Sequence, residues 1–133
     1  MESAGAGPDD IEGFFAGLAA FFRTGGQASC GCLMINSIAE HEGRSPFLGR
    51  RGQDFRDRLT AAFANALAGS QAAALGREQA QLLTATTFGI WLTARIDPAA
   101  AALACDAAAA SARMRQVARA GRAGTPEAES LPD

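Results

Sequence analysis

The stretch Gly31–Ser37 reads GCLMINS and lies between an aromatic-rich amphipathic segment and three longer segments of helical character. From residue 9 to residue 117, apolar residues return about every 3.6 residues, which is the period of an α-helix. No run alternates apolar and polar residues for long enough to predict a β-strand. The sequence therefore predicts an all-α domain of about five helices over residues 9–118. The flanking stretches lack this periodicity: residues 1–8 are expected to be a disordered tail or the remnant of a linker, and residues 119–133 a disordered tail.

Residues that favour helix ends delimit the first two helices. Asp9 or Asp10 can cap the first helix, because a short acidic side chain accepts hydrogen bonds from the free N–H groups there. Gly25 and Gly26 can adopt the left-handed conformation with which helices commonly end. The second helix is expected over residues 31–41. It is short, so we expect its stability to depend on packing against its neighbours.

Two pairs of residues mark the starts of the third and fifth helices. Ser45 precedes Pro46, and Asp97 precedes Pro98. A capping side chain followed by proline at the first helical position is a common start signal. The bounds predicted for the last three helices are 45–68, 77–95 and 97–117.

The charge composition argues against DNA binding by this sequence on its own. The 133 residues carry a formal net charge of -2, and all twelve basic residues are arginine. A free-standing nucleic-acid binder needs a strongly basic surface to neutralise phosphates. The arginines of the third helix alternate with Asp54 and Asp57, which predicts a solvated helix face rather than a phosphate-binding patch.

The cysteines favour a reducing cytoplasm over a disulfide-linked secreted fold. There are three, Cys30, Cys32 and Cys105, and the sequence does not open with a signal-peptide pattern. The alanine-rich stretch 99–112 is too short and too weakly apolar to span a bilayer, so no membrane association is expected.

Metal binding and catalysis have little support in the sequence. Cys30 and Cys32 form one close pair, whereas structural zinc sites usually show two. His41, the single histidine, would lie about 15 Å along a helix from this pair, too far for a direct hydrogen bond. We therefore predict no metal, no cofactor and no enzymatic activity.

The fourth and fifth helices predict contact with a second subunit. The fourth is apolar on nearly all sides, so it must be buried on two sides. With about five helices available, a partner subunit is the economical explanation. The fifth is dense in alanine, which permits close helix contacts, and we expect it to cover the fourth helix and a symmetry-related copy.

In this order of helices, and in its GCLMINS stretch, the sequence resembles the C-terminal regulatory domain of tetracycline-repressor (TetR) family transcription regulators over residues 9–117. The resemblance implies a ligand pocket near the helix that contains Gly31–Ser37 and Glu40. It also implies a homodimer, in which the last two helices form a four-helix bundle with those of a second subunit. No segment here matches the family's DNA-reading helix-turn-helix domain. Contact with DNA is therefore expected only through such a domain, which this sequence does not contain.

Candidate residues follow for both sites, together with two alternatives. The dimer interface is expected to include Leu83, Phe88, Gly89, Trp91, Leu92, Leu103, Ala107 and Ala110. The pocket, for a small apolar molecule, is expected to include Phe14, Leu18, Phe21, Ile35, Asn36, Ile38, Leu59, Phe63 and Thr87. A structural dimerisation module, which binds no ligand and forms heterodimers with a full-length regulator, is the first alternative. An enzyme is the second, and it would need titratable groups clustered around His41.

Overall fold

Five α-helices form the described part of the chain, in a computed structural model that describes residues 5–25, 32–41, 45–68 and 73–123. The helices are α1 (Pro8–Arg23), α2 (Leu33–His41), α3 (Pro46–Leu67), α4 (Ala73–Ala94) and α5 (Pro98–Ala123). These ranges contain no β-strand, which confirms the all-α prediction. Nor does any helix within them have the length and apolar character needed to cross a membrane. Gly26, Cys30 and Gly31 lie outside the described residues.

Capping side chains start α3 and α5 at the predicted residues. Ser45 Oγ accepts a hydrogen bond from the Leu48 N–H at 3.3 Å. Asp97 Oδ1 likewise accepts a hydrogen bond from the Ala100 N–H at 3.0 Å. A proline follows each cap at the first helical position, where an N–H would have no partner within the helix.

The first helix begins two residues earlier than Asp10, and neither aspartate is its cap. Gly7 occupies the cap position and Pro8 the first helical position, because the fixed φ of proline suits a helix start. Asp10 instead closes the turn from inside the helix, where its carboxylate accepts the Gly7 N–H at 2.7 Å. The other end is as predicted: Gly25 leaves the helix with φ 71°.

Both long C-terminal helices extend beyond their predicted bounds. The fourth starts at Ala73 rather than Arg77, because alanine and leucine favour helix in this stretch. The fifth continues to Ala123 rather than ending near Val117, so residues 119–123 of the expected disordered tail are helical. Alanine and arginine dominate these residues, and their high helix propensity outweighs the single Gly121.

The main partner of α5 is α1, a contact that the sequence did not predict, and the expected contact with α4 is present but smaller. The buried positions of α5 are all small: Ala101, Ala102, Cys105 and Ala109. The buried positions of α1 are mostly large: Ile11, Phe15, Ala19 and Phe22. Small side chains on one helix let the bulky side chains of the other approach its backbone. The alanine-rich face of α5 is thus mostly used inside the subunit.

Aromatic rings join α1 to α3 and α4. Phe15 stacks on Phe63 of α3 with ring centroids 6.1 Å apart and an interplanar angle of 7°. Phe22 meets Trp91 of α4 edge to face, with centroids 5.0 Å apart. Such aromatic pairs stabilise a core beyond the area they bury. The first helix is therefore at the centre of the domain.

The short second helix is fixed by contacts to α3 and to the end of α4. Ile35 is 1% exposed, and Ile38 lies directly against Gly52 of α3. Glu40 Oε1 accepts a hydrogen bond from Nη2 of Arg95 at 3.0 Å. These contacts place α2 beside the C-terminal end of α4.

Candidate functional site

One face of α4 is apolar although it points away from the core. It consists of positions separated by three or four residues, here called the α4 outward face: Leu75, Glu78, Leu82, Ala85, Gly89, Leu92 and, in the turn after the helix, Ile96. Leu82 is 57% exposed and Ile96 is 88% exposed. The buried positions Thr84 and Ile90 lie on the opposite side of the same helix. A helix at a protein surface is normally polar on its solvent side, so this face is a candidate association surface.

A second exposed apolar face lies on α5. Its positions are separated by four, three and four residues and are here called the α5 outward face: Leu103, Ala107, Ala110 and Met114. Leu103 is 66% exposed and Met114 is 67% exposed. The turn that contains Ile96 connects the two helices, so both faces belong to one helical hairpin.

The structure divides the eight candidate interface residues into two groups. Five lie on the outward faces: Gly89, Leu92, Leu103, Ala107 and Ala110. Three are half-buried and contribute to packing inside the subunit: Leu83, Phe88 and Trp91. Phe88 packs on Phe55 of α3 at 5.8 Å between ring centroids. The inward group is therefore positioned to stabilise the fold of one subunit.

The interface predicted from the sequence omits four exposed apolar residues. They are Leu75, Leu82, Ile96 and Met114. Together with Gly89, the first three form a series in which successive residues are seven positions apart. A seven-residue apolar repeat is the signature of a helix that pairs with another helix, so this spacing was the available signal.

Several candidate pocket residues pack against one another in the core. Phe14 meets Phe15 and Phe63 edge to face, with centroids 5.2 Å and 5.6 Å away. Leu18 and Leu59 are half-buried against the same cluster. Phe21 is 40% exposed and touches Trp91 at 5.9 Å. Phe14, Leu18, Leu59 and Phe63 thus fill space between helices, whereas Phe21 lies at the surface.

The remaining pocket candidates are on α2 and α4. Ile35 is buried, whereas Asn36 and Ile38 are half-buried on the same short helix. Thr87 is buried in α4, and its hydroxyl donates to the Leu83 carbonyl at 2.8 Å. The threonine hydroxyl has one hydrogen to donate, and this bond uses it within the helix.

An open groove of about 620 Å³ lies along the contact between α3 and α4. Its lining consists of Arg56, Asp57, Thr60, Gln81, Thr84, Ala85, Phe88, Gly89 and Leu92. None of the nine pocket candidates is in this lining, but Ala85, Gly89 and Leu92 also belong to the α4 outward face. The groove therefore opens beside the candidate association surface.

Two threonine hydroxyls connect the helices across the groove. Thr60 Oγ1 and Thr84 Oγ1 are 2.9 Å apart. Each is also 2.9 Å from a carbonyl oxygen of its own helix, that of Arg56 and that of Ala80 respectively. Two hydroxyls supply only two hydrogens for these three contacts. The pair thus uses its hydrogens within the protein and holds α3 to α4.

The groove carries no net charge at its α3 edge. Nε and Nη2 of Arg56 both donate to Oδ1 of the neighbouring Asp57, at 3.0 Å and 2.7 Å. Both side chains are more than half exposed, so this ion pair adds little stability. The two charged residues of the lining therefore neutralise each other.

The described cysteines are separate from these surfaces. Cys105 is buried against α1, and burial, followed by the neighbouring Asp106, raises the pKa of its thiol to about 11. Cys32 is half-buried before α2 and forms no disulfide. Within the described ranges, no three side chains of His, Cys, Asp or Glu come together as metal ligands. The side chain of His41 lies outside the described part.

No family model matches the chain, and neither a curated protein nor a solved structure matches it.

Proposed function

We propose that this chain is the dimerisation and ligand-sensing domain of a TetR-like transcription regulator. Two copies associate through the outward faces of α4 and α5 and form a four-helix bundle. The observation that carries the proposal is the apolar α4 outward face, which the core of one subunit leaves exposed. Contact with DNA belongs to a separate helix-turn-helix domain, and the site of action is the cytoplasm.

Burial of these faces provides the driving force. Burying apolar surface stabilises association by about 25 cal/mol per Å² before the entropic costs of binding are subtracted. Leu82, Ile96 and Leu103 each expose more than half of their side-chain surface. Contact with a second copy would remove all three from water.

A charge substitution on the α4 outward face tests the dimer. Leu82→Glu should convert the wild-type dimer into a monomer, because it would bury an unpaired carboxylate. Ala61→Glu, at an exposed position of α3, is the matched control and should leave the dimer intact. Sedimentation velocity across a range of concentrations gives the subunit count. A monomeric wild-type chain, or a dimer unaffected by Leu82→Glu, would contradict the proposed interface.

The groove between α3 and α4 supports the ligand-sensing part of the proposal. It is large enough for a small molecule, with Phe88 and Leu92 as apolar walls and Gln81 as a hydrogen-bonding group. Native mass spectrometry of the chain purified from cells tests this part. A dimer that carries an apolar adduct would support ligand sensing and would give the mass of the ligand.

The alternative is a structural dimerisation module that forms heterodimers with a full-length regulator and binds no ligand. Packing of the candidate pocket residues Phe14 and Phe63 against each other favours it. A dimer without any adduct, in extracts prepared under several growth conditions, would favour this alternative. Exchange of subunits with a full-length TetR-like regulator, measured by native mass spectrometry, would be its direct evidence.

A further inference from the structure

Large and small residues follow a distinctive order along the α4 outward face. From its N-terminal end the positions are Leu75, Glu78, Leu82, Ala85, Gly89, Leu92 and Ile96. The two smallest are adjacent in the middle, and a leucine lies on each side of them. From either end of the face, the side chains are therefore large at first, small in the middle and large again.

From this order we propose that α4 pairs with α4 of a second copy in the antiparallel direction, about a two-fold axis between Ala85 and Gly89. The axis brings Ala85 opposite Gly89 of the second copy, and Leu82 opposite its Leu92. Each pair occurs twice because the contact is symmetric. This pairing rests on the dimer proposed above and specifies its geometry.

The glycine at the centre has no role inside the subunit that its packing reveals. A Cβ added at Gly89 would meet no atom within 4 Å, so alanine, which is a better helix former than glycine, would fit there within one subunit. At a crossing point, by contrast, small residues let two helix axes approach to about 8 Å. The leucines on both sides then pack around the crossing, as large residues do in paired helices.

Charge favours the antiparallel direction over the parallel one. Glu78 is the charged residue of the α4 outward face. In a parallel pair it would lie opposite its own copy, and like charges at an interface disfavour association. In the antiparallel pair the two copies of Glu78 lie at opposite ends of the contact. Each is opposite Ile96 of the other copy and near its Arg95, which also donates to Glu40 of its own chain.

The area of the face indicates that α5 completes the interface. From Leu75 to Leu92 the helical part of the α4 outward face is about 26 Å long and about 10 Å wide, which gives about 260 Å². A stable interface buries about 800 Å² on each partner. The second copy must therefore also cover the α5 outward face, including Leu103.

Disulfide cross-linking between differently tagged copies tests the direction. All chains carry Cys30→Ser and Cys32→Ser, and one copy adds Ala85→Cys while the other adds Gly89→Cys. Ala85 is exposed and Gly89 has open space around it, so both changes should be compatible with folding, which circular dichroism checks. At the proposed crossing, the two Cα atoms lie within the roughly 4.4–6.8 Å that a disulfide requires.

The antiparallel pairing predicts a covalent dimer after oxidation with oxidised glutathione in the mixture of the two variants. Neither variant alone should form it, because copies of the same position lie on opposite sides of the axis. Covalent dimers in each variant alone would establish a parallel pair and overturn the inference. A dimer by sedimentation without any cross-link would also overturn it, while leaving the proposed function intact. A wild-type chain that is monomeric by sedimentation would overturn both.

Discussion

Ile38 of α2 lies so close to Gly52 of α3 that a Cβ on the glycine would be 2.9 Å from both Cδ1 and Cγ1 of the isoleucine. Gly52 is buried, so no solvent space is available to absorb an added methyl group. The position of α2 therefore depends on the absence of a side chain at one residue of its neighbour.

Gly52→Ala should lower the free energy of unfolding, because the added methyl group overcrowds the contact at a cost of about 1–3 kcal/mol. A gain of about 1 kcal/mol in helix propensity offsets part of this cost. Gly49→Ala, on the exposed side of the same helix, has open space and should raise it slightly. Urea unfolding followed by circular dichroism compares the two. Ile38→Ala combined with Gly52→Ala should recover part of the loss, and additive effects in the double variant would contradict the contact.

Gly89→Ala should have opposite effects on the subunit and on the dimer. The added methyl group meets no atom of the same chain, so helix propensity should stabilise the monomer by up to about 1 kcal/mol. At the proposed interface it should weaken association, which sedimentation equilibrium measures. Gly17→Ala on the exposed side of α1 is the control and should change only monomer stability. Equal dimer affinities for the two variants would argue against a crossing at Gly89.

Trp91→Ala and Leu92→Ala, at adjacent residues, should separate folding from association. Trp91 packs on Phe22 inside the subunit, and truncation of a large aromatic core residue costs about 3–5 kcal/mol of folding stability. Leu92 is 41% exposed, so its truncation should cost less folding stability and more dimer affinity. Urea unfolding and sedimentation, applied to both variants, give the two quantities. The reverse ranking would show that the orientation of α4 is different from the one described.

Cys105 should make folding stability depend on pH in the alkaline range. Its pKa is raised to about 11 from an ordinary value of 9.0, mainly by burial. The unfolded chain therefore releases the thiol proton first, and stability present below pH 9 should be lost as the pH rises toward 11. The chain contains neither lysine nor tyrosine, so few other groups titrate in this range.

Urea unfolding at pH 8, 9 and 10 measures this effect, and Cys105→Ala is the control. The variant should lose less stability over the series than the wild type. Cys105 should also react with iodoacetamide more slowly in the folded chain than in the urea-unfolded chain, because burial raises its pKa and the thiolate is the reactive form. Parallel pH profiles for the two chains would show that burial does not affect the Cys105 thiol.

Local signals in the sequence were sufficient to predict five helices and the starts of α3 and α5. Ser45 and Asp97 start α3 and α5 because a capping bond involves residues only three positions apart. Gly25 ends α1 for a similarly local reason. The packing of α5 on α1 was not predictable in this way, because an alanine-rich face fits many neighbours equally well.

The orientation of α4 was also beyond the sequence pattern. A helix that is apolar on nearly all sides has no polar stripe to show which side faces water, so Trp91 and Leu92 look equivalent in the sequence. The structure distinguishes them through the position of Phe22, a residue on another helix. The groove between α3 and α4 was missed for the same reason, since it depends on the spacing of two helices.

Exposure of Leu82 and Ile96 has a consequence for the amount of protein that a cell can keep. Chaperones and proteases recognise exposed apolar segments, and a monomer of the proposed dimer presents such a segment even when it is folded. For the proposed dimer, mass action then links the half-life of the chain to its abundance, because the fraction of paired copies rises with concentration. We expect the cellular half-life of the chain to lengthen as its expression rises, which a pulse-chase experiment at two expression levels would measure.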